Sequence, residues 1–219
     1  MGNNVHSTLA DFLGIIPVEE RTTETIEDLL RRKWRQNRQG FANREDERQW
    51  GEKALAQLRW FVSTERVDVQ PFMLEGFHEA PVTKDLSLNG KIDRVDRLDD
   101  GSLHIIDYKT GSMPETVDSF QLLLYTLILS KTLGHPVSKA SYLYLANGVW
   151  HTSSIAEGDV QGARDKVLEI AQEIELERDY LELAGPLCQF CDFLEICDAG
   201  REFRPTTKDA EAVDSFYDV

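Results

Sequence analysis

The residues with the greatest capacity for chemistry lie in two short runs, Gly90-Lys91-Ile92-Asp93-Arg94-Val95-Asp96-Arg97-Leu98 and Ser102-Leu103-His104-Ile105-Ile106-Asp107-Tyr108-Lys109-Thr110-Gly111, separated by Asp99-Asp100-Gly101. Asp-Asp-Gly between two strand-like runs is turn chemistry. A turn centred on Asp100 places Asp93 opposite Asp107, and facing residues in a hairpin have Cβ atoms roughly 4.5–5.5 Å apart. Two carboxylates that close repel each other unless a cation lies between them or one takes up a proton. Hard oxygen ligands at that spacing suit Mg²⁺ or Mn²⁺. Side chains alternate along a strand, so Lys109 shares a face with Asp107. An ammonium there can orient a water nucleophile and offset charge building on a phosphate. This pattern fits a metal site for cutting phosphodiester bonds. The plain alternative is an edge hairpin with solvated acids. A bulge in the turn would shift the register by one residue and weaken the pairing. It would leave an Asp-x-Lys at a strand end.

The elements that must position these residues can be read from periodicity and punctuation. Residues 1–13 form a short helix carrying His6. Thr23 is a plausible N-cap for a second helix to Gln36, which Gln39-Gly40 closes. A third helix spans residues 44–66, with Trp50, Leu55, Leu58 and Val62 near one face. Strands follow at residues 69–77, 86–98 and 102–109. A helix at residues 114–133 ends before Gly134 and Pro136 and is apolar on nearly every side, so it should be buried. Strands at 137–146 and 149–154 are joined by Asn147-Gly148, a strong hairpin signal. A polar helix capped by Asp159 runs to about residue 183. The expectation is therefore an α/β fold, with a mixed central β-sheet flanked by helices and a helical, cysteine-bearing lobe that could partly enclose a single strand. It divides into a helical part (1–66), a core (67–183), a cysteine segment (184–200) and an acidic tail (206–219).

Over its 219 residues the chain carries a net charge of −15, which by itself argues against nucleic-acid binding. Charge distribution matters more than the total. Arg31, Arg32, Lys33, Arg35, Arg38 and Arg44 fall in one stretch without an acid among them, interleaved with Trp34 and Phe41. A basic, aromatic patch of this kind can track a single strand. Equally, these cations end a helix that begins with Glu24, Glu27 and Asp28, which complements the helix dipole. The longest apolar run, residues 122–129, is far too short to span a membrane, and no signal-peptide pattern opens the chain, so a cytoplasmic protein is expected. All three cysteines, Cys188, Cys191 and Cys197, fall in one Cys-x₂-Cys-x₅-Cys segment. That clustering reads as metal ligation, not as a disulfide framework.

The Gly-Lys-Ile-Asp-Arg-Val-Asp and Ile-Ile-Asp-Tyr-Lys-Thr-Gly runs resemble two motifs of the PD-(D/E)XK nucleases. The nearest likeness is to the RecB-like branch, which includes the iron–sulfur exonucleases of CRISPR adaptation and the nuclease domains of recombination helicase–nucleases. The resemblance extends over residues 2–197. It implies a restriction-endonuclease-like core and a metal held by His6 (from Gly2-x-x-x-His6), Asp93, Asp107 and the Tyr108 carbonyl. It also implies that Gln121 and Tyr125, a Gln-x-x-x-Tyr motif, lie beside the active site near DNA, and it makes Glu75 a further candidate. Gln121 and Tyr125 are i,i+4 neighbours on one helix face, and the bland reading is a polar pair satisfied inside the core. His78, His104, His135 and His151 have no such context.

In the same branch the cysteine segment forms part of a four-cysteine [4Fe–4S] site whose first ligand precedes the Gly-x-x-x-His motif. Only Met1 precedes Gly2 here. Three explanations stand: a shortened start, loss of the cluster with the thiols kept as core residues, or another fourth ligand, such as a histidine in a Cys₃His zinc site. The resemblance implies a metal-dependent DNA exonuclease acting on single-stranded ends in repair, recombination or CRISPR adaptation, with a helicase or adaptation protein as a possible partner. The acidic balance and the missing cysteine suit an alternative, a non-catalytic DNA- or protein-binding subunit.

Overall fold

The computed structural model describes residues 1–41 and 43–203. The acidic segment expected at 206–219 lies outside the described residues. The chain divides into two compact units, Met1–Asp165 and Lys166–Val219.

The first unit holds three N-terminal helices, α1 (Gly2–Gly14), α2 (Thr23–Gln36) and α3 (Arg44–Thr64). They are followed by β1 (Met73–Pro81), β2 (Ser87–Arg97), β3 (Leu103–Lys109), α4 (Phe120–Thr132), β4 (Val137–Tyr144) and β5 (Val149–Ser154). The five strands form one sheet in sequential order. Only β3 and β4 are parallel; the other neighbours are antiparallel. α4 makes the crossover that a parallel pair requires. This is the mixed α/β architecture expected from the sequence.

Two cores sandwich the sheet. Val5, Leu9, Phe12 and Leu13 of α1 pack with Ile26 and Leu30 of α2, Leu58 and Phe61 of α3, and Ile106 and Tyr108 of β3. Ile92, Val95, Ile105 and Tyr142 of the sheet pack with Leu122 and Leu129 of α4. Each large aliphatic side chain buried in this way contributes roughly 1.5–3 kcal/mol. α4 buries Leu122, Thr126, Leu127, Ile128 and Leu129, as its apolar sequence predicts.

Several boundaries differ from the sequence reading, each for a local reason. The N-cap of α2 is Thr22, whose hydroxyl accepts from the Thr25 amide at 3.3 Å. The inward face of α3 is Ala54, Gln57, Leu58 and Phe61, with Trp50, Leu55 and Val62 half-buried beside it. β1 starts four residues later than expected, because the Val67 and Val69 carbonyls accept from the Arg21 guanidinium at 2.6 and 2.7 Å instead of from a strand. The same guanidinium binds the Leu13 and Ile16 carbonyls, clamping the end of α1. α4 starts at Phe120, not at residue 114, since the Asp118 carboxylate accepts from the Phe120 amide and the Asp118 carbonyl accepts from the Tyr142 hydroxyl. β4 ends at Tyr144, and a four-residue turn closed by Gly148, with φ at +67°, replaces the two-residue hairpin.

A helix α5 (Glu157–Leu176) contributes residues 157–165 to the first unit. Asp159 lies within its first turn and accepts from the Ala156 amide. In the second unit α5 stops at Leu176 because the Glu177 carboxylate collects the amides of Arg178, Asp179 and Tyr180. A short 3₁₀ turn (Pro186–Phe190) and α6 (Asp198–Glu202) follow. Among the described residues, no helix is long and apolar enough to cross a membrane.

Candidate active site

The β2–β3 register fixes the site. Arg94 faces Ile106, Val95 faces Ile105 and Asp96 faces His104, so the next pair outward is Asp93 and Asp107. The regular ladder stops there because the Asp93 carboxylate itself accepts from the Tyr108 amide, at 2.8 Å. On the other side Leu74 pairs with Arg94 and Gly76 with Ile92, which sets Glu75 level with Asp93. Three adjacent strands therefore deliver Glu75, Asp93 and Asp107 to one level of the sheet. Glu75 has φ at +49°, a left-handed conformation that a glutamate adopts only at a cost of order 1–3 kcal/mol. Such strain concentrates where a side chain must be aimed out of the regular pleat.

His6, from the second turn of α1, closes the group, with Nδ1 3.1 Å from Asp93 Oδ1. One ligand atom from each of His6, Glu75 and Asp93 lies within 4.8 Å of the others. Asp107 stands beside this triplet. Its Oδ2 is 3.0 Å from Lys109 Nζ, which relieves repulsion from Asp93, yet the contact is not a directed hydrogen bond and leaves a buried oxygen unsatisfied. Burial, together with the charge of Asp93, pushes the Asp107 carboxyl up to about 6 against the pull of Lys109. For His6, burial lowers the pKa, but the hydrogen bond and charge of Asp93, with Asp107 and Glu75 behind, outweigh it, and the net shift is upward. Lys91 pairs with Glu75 at the rim. An imidazole, clustered carboxylates and an orphaned buried oxygen fit a hard divalent cation.

Beside this cluster runs a polar chain. Lys109 Nζ donates to Gln121 Oε1 at 2.8 Å, and Gln121 Nε2 donates to the Tyr125 hydroxyl at 3.0 Å. The Gln-x-x-x-Tyr pair thus meets the lysine across the β3–α4 layer; it is not a pair closed on itself. Tyr108 joins through its main chain, while its buried hydroxyl accepts from Arg94 Nη1 at 3.3 Å. Three further supports are not legible in the sequence. Gly90 lies beneath Tyr125, where an added Cβ would sit 2.9 Å from the ring. Gln57 donates to the Thr110 carbonyl at 2.6 Å, just past Lys109. Tyr142 packs its ring under Lys109, whose Nζ is 5.0 Å from the centroid. Gly90 falls inside a strand-like run, Gln57 inside a helix and Tyr142 inside an apolar strand, and none of these contexts marks a role. Only the register of the sheet reveals them.

Half of the cationic patch is paired with acids of the fold. Arg31 pairs with Glu27 and Asp28, Lys33 with Asp11, and Arg38 with Glu47. Arg32 donates to the Asp28 carbonyl. Trp34 stacks on Phe41 at 5.4 Å, and beside it a groove of about 430 Å³ between α2 and α3 is lined by Arg31, Arg35, Arg38 and Arg48. The other histidines take structural partners, such as Ser141 for His104 at 2.7 Å.

In the second unit, Cys188 Sγ accepts from the Gly185 amide and Cys197 Sγ from the Gly200 amide, while Cys191 is exposed. Among the described residues the three sulfurs do not gather within 4.8 Å of one another.

A model of the PD-(D/E)XK nuclease superfamily matches residues 1–198, which takes in the whole carboxylate cluster, the Gln121–Tyr125 pair and the three cysteines. No curated protein matches the chain.

Proposed function

The chain belongs to the PD-(D/E)XK nuclease superfamily, whose members hydrolyse phosphodiester bonds with divalent metal ions, and from that premise we propose that it is a DNA exonuclease of the RecB-like type acting on single-stranded ends. The observation that carries this reading is the convergence of His6, Glu75, Asp93, Asp107, Lys109 and Gln121 from five separate elements. The placement of His6 and of the Gln121–Tyr125 pair supports the RecB-like branch in particular, since neither is needed for a bare carboxylate site.

His6, Glu75, Asp93, Asp107 and the Tyr108 carbonyl would hold Mg²⁺ or Mn²⁺. Such an ion supplies Lewis-acid polarisation of the phosphate and an acidified water. Lys109 keeps its ammonium between Asp107 and Gln121, where it orients the attacking water and offsets charge on the phosphorane-like transition state. Gln121 is held by Lys109 at its oxygen and by Tyr125 at its amide nitrogen, so both groups are presented at a fixed place for the strand. The α2–α3 groove, with Trp34, Arg35 and Arg38, is the surface offered to the single strand, and its charges must exchange Glu47 for phosphate on binding. Salt dependence of binding follows from that exchange. For the cysteine segment we propose a metal-binding origin, iron–sulfur or zinc, decided by metal analysis and an absorption spectrum of freshly purified protein. A helicase or CRISPR-adaptation protein is the proposed working partner.

The test of exonuclease action compares linear and circular single-stranded DNA of the same sequence with Mn²⁺. Degradation of the linear form alone supports it. Equal cutting of both makes the protein an endonuclease.

A further inference from the structure

We propose that Tyr142 is a positioning residue for the Lys109–Gln121 pair. Its ring face would hold the ammonium, and its hydroxyl would hold the glutamine and the start of α4. The inference rests on the nuclease reading for what the pair does, but not for where the pair is held.

Tyr142 faces Asp107 in the parallel β3–β4 register and is 3% exposed. Lys109 Nζ lies 5.0 Å from its ring centroid, within reach of a cation–π interaction. The ammonium has three donors; Asp107 and Gln121 face it on two sides, and the ring covers a further one. The Tyr142 hydroxyl donates to the Asp118 carbonyl at 3.1 Å and lies 3.5 Å from Gln121 Oε1. The hydroxyl has a single hydrogen, which it shares between the nearer Asp118 carbonyl and the more distant glutamine oxygen. The amide's orientation is therefore set by the Lys109 ammonium, which can only donate, so oxygen points there and the NH₂ points to Tyr125. A flipped amide would turn its NH₂ onto that ammonium, donor against donor. The hold on Asp118 then anchors the residue whose carboxylate caps Phe120, the first residue of α4 and the neighbour of Gln121. From behind, His151 of β5 stacks on the Tyr142 ring at 6.5 Å and 26°, and its Nε2 lies 3.2 Å from Ser119 Oγ. β4 and β5 together therefore fix the first turn of α4 against β3.

The ring and the hydroxyl can be separated by two variants. Tyr142→Phe keeps the ring and loses the hydroxyl contacts; Tyr142→Leu loses both. In Mn²⁺-dependent cleavage of end-labelled single-stranded DNA, Tyr142→Phe is expected to lower kcat about tenfold with KM within about twofold, and Tyr142→Leu to lower it further. In a double-mutant cycle, Gln121→Ala with Tyr142→Phe should be no slower than Gln121→Ala alone, because the hydroxyl acts through that amide. A readout independent of cleavage is acetylation of Lys109 by a succinimidyl reagent, followed by mass spectrometry. The Leu variant should react several-fold faster than wild type and the Phe variant at the wild-type rate. A change in KM with kcat intact, strict additivity with Gln121→Ala, or wild-type reactivity of Lys109 in a folded Leu variant overturns the proposal. If wild-type protein cleaves nothing, the nuclease reading falls and the acetylation result alone decides whether Tyr142 holds Lys109.

Discussion

Replacing Asp107 with asparagine should abolish cleavage while making the metal-free protein more stable. Asp107 is 4% exposed, and its carboxyl is pushed from 3.8 up to about 6 by burial and by Asp93, with Lys109 only partly compensating. A folded-state pKa above the unfolded one means that the group stabilises the fold in its protonated form and withdraws that stability as pH rises from about 4 through about 6. At about 1.36 kcal/mol per unit, the charged form costs about 3 kcal/mol at pH 7.5. Asparagine mimics the protonated acid in shape, but its amide N–H needs an acceptor, which takes back about 1 kcal/mol. The net gain of about 2 kcal/mol corresponds to a rise in Tm of about 4–8 °C for a chain of this size. The assay is thermal melting in EDTA at pH 7.5 and at pH 4, then with Mn²⁺. The gain should be present at pH 7.5 and gone at pH 4, where the wild-type carboxyl is already protonated. Mn²⁺ should raise the wild-type Tm and leave the variant nearly unmoved. A variant less stable than wild type in EDTA at pH 7.5, or a gain that persists at pH 4, would refute the reasoning.

Gly90→Ala should lower single-turnover cleavage about tenfold while the far-ultraviolet spectrum stays native, because the new methyl forces the Tyr125 ring off its bond with Gln121. Arg21→Met should lower stability by about 3–5 kcal/mol in urea melts, since four main-chain carbonyls lose their shared donor. Glu75→Gly should leave stability unchanged or raise it by up to about 1 kcal/mol, by relieving the left-handed backbone, yet weaken Mn²⁺ binding at least tenfold by calorimetry.

The centre of the site was legible because its logic is local. A hairpin with a recognisable turn fixes its own register, so the facing of Asp93 and Asp107 follows from counting outward from Asp100, and the β2–β3 pairing agrees. The strands, the mixed α/β class and the burial of α4 were also accessible, since alternation and apolar runs write themselves along the chain; the order of the strands in the sheet was not. Residues that act across elements were not accessible. Glu75 was a candidate by resemblance alone; what brings it to the site is a positive φ that sequence does not encode visibly. Tyr142 and Gln57 sit in apolar-looking contexts, and their roles depend on what β4 and α3 face. The starts of β1 and α4 were misplaced for a similar reason: a distant Arg21 and a distant Tyr142 take the carbonyls there. The charge patch shows the opposite error, since residues 31–44 contain no acid but the fold supplies acids from α1, α2 and α3.

The most direct measurement is cleavage of 5′-labelled linear single-stranded DNA by freshly purified protein with Mn²⁺, wild type against Lys109→Ala. The account predicts metal-dependent degradation by the wild type, complete suppression by EDTA, and at least a hundredfold loss in Lys109→Ala with Mn²⁺ binding retained. Equal rates for the two proteins, or cleavage that persists in EDTA, would contradict it.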